Sequence, residues 1–283
     1  MSAVLAPDVA ASPARPPART GEVVRRRATA WLAQGTAIAA FVALWHVLAA
    51  NHARLGIVSF QNVPTPLAAL EAGRDLVDGG KLGRHLGYSL WRVGAGFLAA
   101  AAAGIALGLA IGRFRPVRRV LLPPLELLRP IPAVAWIPLA ILMFPSTELS
   151  MVFITFIGAL FPVLLNTIHG VEGVDRRLVA SARSLGTGRL KMFTQVILPA
   201  AAPSIATGLA IGMGTCWFCL VSAEMISGQF GIGYYTWESY TLQNYGGIIV
   251  GMLVIGLLGM GCSALIRVAA RLAMPWAATG ATR

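Results

Sequence analysis

Most residues in this chain that could do chemistry stand where the chemistry cannot be done. Cys216 and Cys219 have the C-x-x-C spacing of a zinc or redox pair, but they flank Trp217 and Phe218 inside an apolar run, and Cys262 lies in another. Thiols in that setting read as small buried hydrophobes. The four histidines, His46, His52, His85 and His169, fall at no spacing that closes on a metal. No grouping of Ser, His and Asp suggests a hydrolase. Gly228, Gly231 and Gly233 look superficially like a phosphate loop, yet no strand precedes them and no lysine follows, and G-x-x-x-x-G-K-[ST] occurs nowhere. The expectation is a non-catalytic chain with no metal and no cofactor of its own.

The elements that would hold these residues are membrane spans. The 283 residues are 57% hydrophobic and only 12% charged, where a soluble domain carries about 25% charge. The net charge of +12 is compatible with nucleic-acid binding. The charges cluster between apolar runs, however, as lysines and arginines do when they hold cytoplasmic loops in place, so no nucleic acid is expected. Residues 1–24, rich in Ala, Pro and Arg without an apolar period, read as a disordered cytoplasmic tail. Arg25-Arg26-Arg27 then precede Trp31 to Ala50. A basic flank before an apolar run suits a signal peptide, but about 20 apolar residues are enough to span, so an uncleaved first helix is favoured.

Five further spans follow: Leu86 to Ile111, Leu121 to Phe144 (broken by Pro130, Pro132 and Pro138), Met151 to Ile168, Ala200 to Ala223, and Ile248 to Ile266. Gly104, Gly108 and Gly112, and again Gly208 and Gly212, recur every four residues, a small-residue row that lets helices approach closely in lipid. Between the first two spans, Pro66 onward predicts an amphipathic surface helix with Leu67, Leu70 and Val77 on its apolar side, ending at Gly79-Gly80. Aromatic residues between Gln229 and Tyr245 suit a membrane interface. Most of the 23 Lys and Arg fall in the N-terminal tail, at 113–119, at 175–199 and at the C-terminus. This places both termini in the cytoplasm, with residues 25–272 as the membrane domain and 273–283 as a second cytoplasmic tail.

One basic, polar stretch between spans stands apart, Asp175 to Pro199. Leu178, Val179, Ala182 and Leu185 make one helical stripe, with Arg176, Arg177, Arg183 and Ser184 on the other side. Gly186 follows where a helix ends in a left-handed residue. Thr187 can cap a second short helix carrying Leu190, Phe193 and Val196, and Pro199 marks the return to lipid. A helix, a glycine turn and a second helix form a knob suited to docking on a soluble partner.

This stretch resembles the "EAA" loop of permease subunits of bacterial ATP-driven (ABC) importers: E-A-A, three residues, Gly, nine residues, I-x-L-P. Ala180, Ser181 and Ala182 stand at E-A-A, Gly186 matches, and Val196-Ile197-Leu198-Pro199 closes the motif, with Ala180 in place of the glutamate. Ser89-Leu90-Trp91-Arg92-Val93 with Gly96-Phe97, and Leu128-Arg129-Pro130-Ile131-Pro132, resemble segments of the sulfonate, taurine and nitrate branch. The resemblance implies an all-α membrane protein of six transmembrane helices in the type I ABC importer permease fold with cytoplasmic coupling helices, in the bacterial inner membrane. It implies a homodimer, two ABC ATPase subunits that bind the ATP and Mg, and a periplasmic or lipid-tethered substrate-binding protein. Ala180, Ser181, Ala182, Leu185, Gly186, Thr187 and Arg189 become the ATPase-coupling residues.

Arg92, Arg129 and Glu224 are the candidates for lining the route of a small anion. An unpaired cation in or beside a span is costly, so at least one of Arg92 and Arg129 is expected to face that route. Glu126 and Arg129, three apart on a helix, could instead pair, and Glu224 is placed at the outer edge of its span. A secondary transporter without an ATPase is the alternative, and would need acidic groups deep in the spans.

Overall fold

The computed structural model describes residues 20–278, and the assigned stretches 1–19 and 279–283 of the two tails lie outside them. Two compact units form, divided at Pro66–Leu67. The first holds α1 (Thr20–Ala50), which begins within the stretch expected as an irregular tail, and a hairpin of β1 (Arg54–Leu55) and β2 (Val58–Ser59). The hairpin pairs Arg54 with Ser59 and Leu55 with Val58, turning at Gly56. Trp45 donates its indole N–H to the Pro64 carbonyl at 3.0 Å. Residues 31–50 are apolar and almost wholly exposed, the surface of a helix made for lipid rather than for a protein core.

The second unit opens with α2 (Pro66–Asp78) at the expected position, but its buried residues are Ala69 and Leu76. Leu67, Leu70 and Val77, expected to form the apolar side of a helix lying on the membrane surface, are exposed. A bundle of three long helices follows: α3 (Lys81–Arg113), α6 (Thr147–Glu172) and α9 (Leu198–Ser227). Each outruns its expected span, because the helical backbone continues past the apolar core into residues with polar partners. Between α3 and α6 lie α4 (Arg115–Leu128), a 3-10 turn (Ala133–Trp136) and α5 (Ile137–Met143).

The expected third span is thus a pair of helices bent by 86°. Pro130 and Pro132 supply no N–H to continue the helical ladder, so α4 stops at Leu128 although Arg129 keeps helical dihedrals (φ −55°, ψ −42°), and the Ile131 N–H turns back to the Leu128 carbonyl. Pro138 sits in the first turn of α5, where no donor is required. After α9 come α10 (Ile232–Thr241), α11 (Tyr245–Ala273) and α12 (Pro275–Ala278). Among the described residues, five helices are long and apolar enough to cross a membrane, and the bent pair can make a sixth.

The glycine rows are the seams of the bundle. A Cβ on Gly96, Gly104, Gly108 or Gly112 of α3 would lie 2.6–2.9 Å from Thr155, Val163, Thr167 or Val171 of α6. Gly208 and Gly212 of α9 meet the other side of α6 at Asn166, Pro162 and Val163 in the same way. Helix backbones come this close only where side chains are absent. Cys216 and Cys219 lie buried in the core with Val93, Phe97, Met151 and Trp217, as packed hydrophobes.

Candidate functional site

Two features sit at opposite ends of α6: the Asp175–Pro199 segment beyond its C-terminus, and a buried ion cluster around its first turn. The first begins where α6 ends. Asp175 caps α7 (Arg176–Ser184), its carboxylate accepting the Arg177 N–H at 2.8 Å. At the far end Gly186 has φ +74°; its N–H reaches the Arg183 carbonyl at 2.9 Å, and the Thr187 N–H reaches Ala182 at 3.2 Å. These two bonds are the Schellman closure of a helix. Thr187 does not cap the next helix: its backbone is committed to closing α7, and Gly188 stands at the start of α8 (Arg189–Lys191) without a side-chain cap.

A π-helical stretch, Met192–Ile197, then runs straight into α9. Pro199 therefore does not break the chain here. The wider turns fall where an α-helical register would need the absent Pro199 N–H against the Gln195 carbonyl.

The expected apolar stripe divides in two. Val179 and Ala182 pack inward against Val171, Met192 and Ile197. Leu178, Leu185 and Leu190 are exposed, Leu185 at 85%. Ala180, Ser181, Arg183 and Arg189 are exposed beside them. The result is a capped helix whose outer surface mixes leucines with arginines that have no acidic partner among the described residues. Beneath it, Arg118 and Glu172 form an ion pair that joins the start of α4 to the end of α6.

The second feature centres on Arg92 of α3, which is fully buried. Its Nε donates to Glu148 Oε2 at 2.8 Å and its Nη2 to Glu148 Oε1, while Nη1 donates to Glu224 Oε1 at 2.8 Å and to the Phe230 carbonyl. The Tyr88 ring lies 5.3 Å from the guanidinium carbon. Glu224, three residues before the end of α9, is also fully buried. It accepts from Ser89 Oγ at 2.8 Å and from the Gly233 N–H at 2.9 Å as well as from Arg92. Ser89 accepts in turn from the Ile232 N–H at 3.0 Å, and His85 Nδ1 lies within hydrogen-bonding distance of the Gly231 backbone.

The loop after α9 is folded onto this carboxylate. Gly231 has φ +141°, and a Cβ there would fall 2.2 Å from Glu224 Cδ. The glycines that resemble a phosphate loop thus wrap an anion that belongs to the chain itself.

Arg92 and Glu224 are brought together, with Glu148, Ser89, His85, Gly231 and Gly233 as partners that sequence reasoning missed. A weak signal existed: Ser89, Arg92 and Gly96 fall one helical turn apart, and all three are buried on one face of α3. Glu148 gave none, standing in what reads as a short turn. Arg129 is elsewhere, exposed in the 86° bend. It forms no ion pair with Glu126, which is also exposed; α4 ends between them. Each oxygen of Glu224 is engaged by protein donors, and the cluster joins α3, α6, α9 and the following loop.

Comparison with known proteins agrees with this architecture. Residues 101–278 match the family model described as the binding-protein-dependent transport system inner membrane component. A protein named as an ABC transporter permease in Methanocaldococcus jannaschii is 43% identical over 61% of this chain and 65% of its own. The protein named for aliphatic sulfonates transport, SsuC, of Bacillus subtilis is 31% identical over 92% of this chain and 94% of its own. The nitrate import permease protein NrtB of Synechocystis is 34% identical over 79% and 82%. With more than half its length in the family model, and an exposed helix–glycine–helix segment set between membrane helices, the chain belongs to the binding-protein-dependent transport inner membrane family and is a multi-pass permease subunit of an ABC importer.

Proposed function

We propose that this permease conducts a small oxyanion, that it works as a homodimer, and that its power stroke arrives through α7 from a separate ATPase. The observation that carries the coupling is the exposed, Schellman-closed helix at Asp175–Pro199. It sets Leu178 and Leu185 beside exposed arginines on a surface that no other described residue covers, and apolar anchors rimmed by charge are what a docked partner buries. ATP and Mg are held by that partner, two copies of which serve the dimer, and a substrate-binding protein delivers the anion at the opposite face. Both termini lie in the cytoplasm, on the side of the knob, in accord with the basic residues at 113–119 and 175–199.

The substrate class rests on relatives named for aliphatic sulfonates, nitrate and bicarbonate. Arg129 suits the route better than Arg92. It is exposed at the bend between α4 and α5 and has no acidic partner among the described residues, whereas Arg92 is neutralised by two carboxylates. The test is uptake by vesicles holding the permease with its co-encoded ATPase and binding protein. ATP-dependent, vanadate-sensitive uptake of a sulfonate, taurine, nitrate or bicarbonate is expected. Uptake that persists without ATP or ignores vanadate would sink the coupling, and uptake restricted to cations or neutral solutes would sink the substrate class.

A further inference from the structure

A cleft of about 1050 Å³ opens between the C-terminal end of α3 and the coupling segment. Arg113 of α3, Arg183 of α7 and Arg189 of α8 line it, with Thr187 beside them. Among the described residues, none of the three arginines has an acidic partner and the Thr187 hydroxyl makes no hydrogen bond. The Arg113 guanidinium stacks on the Phe114 ring, 5.7 Å from its centroid. Apolar side chains complete the lining, among them Ala106, Leu109 and Ala110 of α3 with Leu190 and Phe193.

Three guanidiniums and a hydroxyl lining one space, with no acidic partner among the described residues, favour an anion, because guanidinium forks match phosphate geometry. The size and the apolar lining decide which anion. A free inorganic ion fills a small part of 1050 Å³ and gains nothing from five apolar side chains, whereas an anionic amphiphile uses both ends. We infer that this cleft is a binding site for an anionic phospholipid, its phosphate held by Arg113, Arg183, Arg189 and Thr187 and the upper part of an acyl chain lying on α3. Basic pockets beside membrane helices take such headgroups. The bound lipid would brace the coupling segment against α3, linking membrane composition to the position of α7. The inference borrows from the proposed function only the name of the leaflet, the cytoplasmic one.

The test is lipid retention by the purified full-length chain in mild detergent, read by native mass spectrometry. Phosphatidylglycerol and phosphatidylcholine of equal chain length are titrated, each with and without excess inorganic phosphate. About fivefold of affinity per arginine near a charged headgroup gives roughly a hundredfold loss of phosphatidylglycerol in the triple variant Arg113→Gln/Arg183→Gln/Arg189→Gln. Phosphatidylcholine binding stays unchanged. The three single variants lose about fivefold each, which keeps the test decisive if the triple variant does not fold, and the triple lysine variant retains most of the binding. Arg115→Gln/Arg119→Gln, which removes two exposed arginines outside the cleft, has no effect. Equal retention by wild type and triple variant overturns the site, and so does an equal loss from Arg115→Gln/Arg119→Gln. Displacement of phosphatidylglycerol by inorganic phosphate overturns the lipid as the ligand. Orientation measurements leave all these outcomes unaltered, so the two readings fail separately.

Discussion

Arg92→Gln separates a fastening role from a transport role. The substitution removes a guanidinium that meets four acceptors, on Glu148, Glu224 and Phe230. Glu148 is 38% exposed on its side chain and can take up water, but Glu224 is 0% exposed and cannot. Removing one partner of such a pair strands a buried charge, at a cost of about 3–5 kcal/mol. At about 2–4 °C per kcal/mol for a chain of this size, the apparent Tm should fall by roughly 10 °C. A thiol-reactive dye reports it, because Cys216 and Cys219 are buried until the bundle opens. Glu224→Gln should cost less: the amide oxygen still accepts from Ser89 and Gly233, and Arg92 keeps Glu148. The double variant Arg92→Gln/Glu224→Gln should recover part of the loss, since no unpaired charge stays buried. Transport per folded molecule should be nearly normal in Arg92→Gln and reduced in Arg129→Gln, whose own Tm should not change because Arg129 is exposed and unpaired. A stable Arg92→Gln protein that folds as wild type yet does not transport would refute this reasoning and return Arg92 to the anion route.

Single cysteines at Asp78 and Leu242 in a cysteine-free chain, both exposed positions, should react with an impermeant thiol reagent added to intact cells. One at Ser184 should not; the opposite pattern would invert the chain in the membrane. Gly186→Val should lower uptake and ATPase co-purification together at a stability cost of only about 1–2 kcal/mol, because the site is open and only the left-handed φ is strained. Gly186→Asn, a residue that tolerates that φ, should be milder, and full ATPase retention by Gly186→Val would reduce the segment to a loop. Gly108→Val should prevent folding, since even a Cβ there falls 2.6 Å from Thr167, whereas Gly94→Ala has nothing within 4 Å and should express normally; equal expression of both would deny the α3–α6 seam.

The spans, the glycine seams and the left-handed turn at Gly186 were legible because each is written in local periodicity or in a single backbone requirement. The bend after Leu128 was legible as prolines but not as an angle, since the 86° depends on what α5 packs against. The ion cluster was not legible. The partners of Arg92 lie 56 to 138 residues from it, and nothing local distinguishes a glutamate that will be buried by three helices from one in an outer turn. Reading Arg92 as an unpaired cation followed from counting only the charges on its own span. The split of the Leu178–Leu185 stripe was hidden for a related reason: periodicity marks an apolar face without saying which part of it the chain will cover.

Because α7 is the direct link between α6 and α9, any force on Leu185 enters those two helices first. They cannot slide to absorb it. Gly158, Gly208 and Gly212 hold their backbones at distances where even one Cβ would clash, and a close-packed seam transmits displacement instead of deforming. At the far end the same helices are joined to α3 through Arg92, Glu148 and Glu224. A push on the knob therefore has to emerge as a common tilt of α3, α6 and α9. The elements left to move against that block are the far end of α4 at Leu128, ten residues beyond the Arg118–Glu172 pair that ties its start to α6, and α11, whose only buried residues are Gly247, Val250 and Gly251. Spin labels at Leu149 on α6 and Ile211 on α9, both half-exposed, should keep one distance with and without ATP in the assembled transporter. A pair at Leu149 and Leu128 should change. If the first distance shifts as much as the second, the three helices do not travel together, and the ion cluster fastens something other than the moving body.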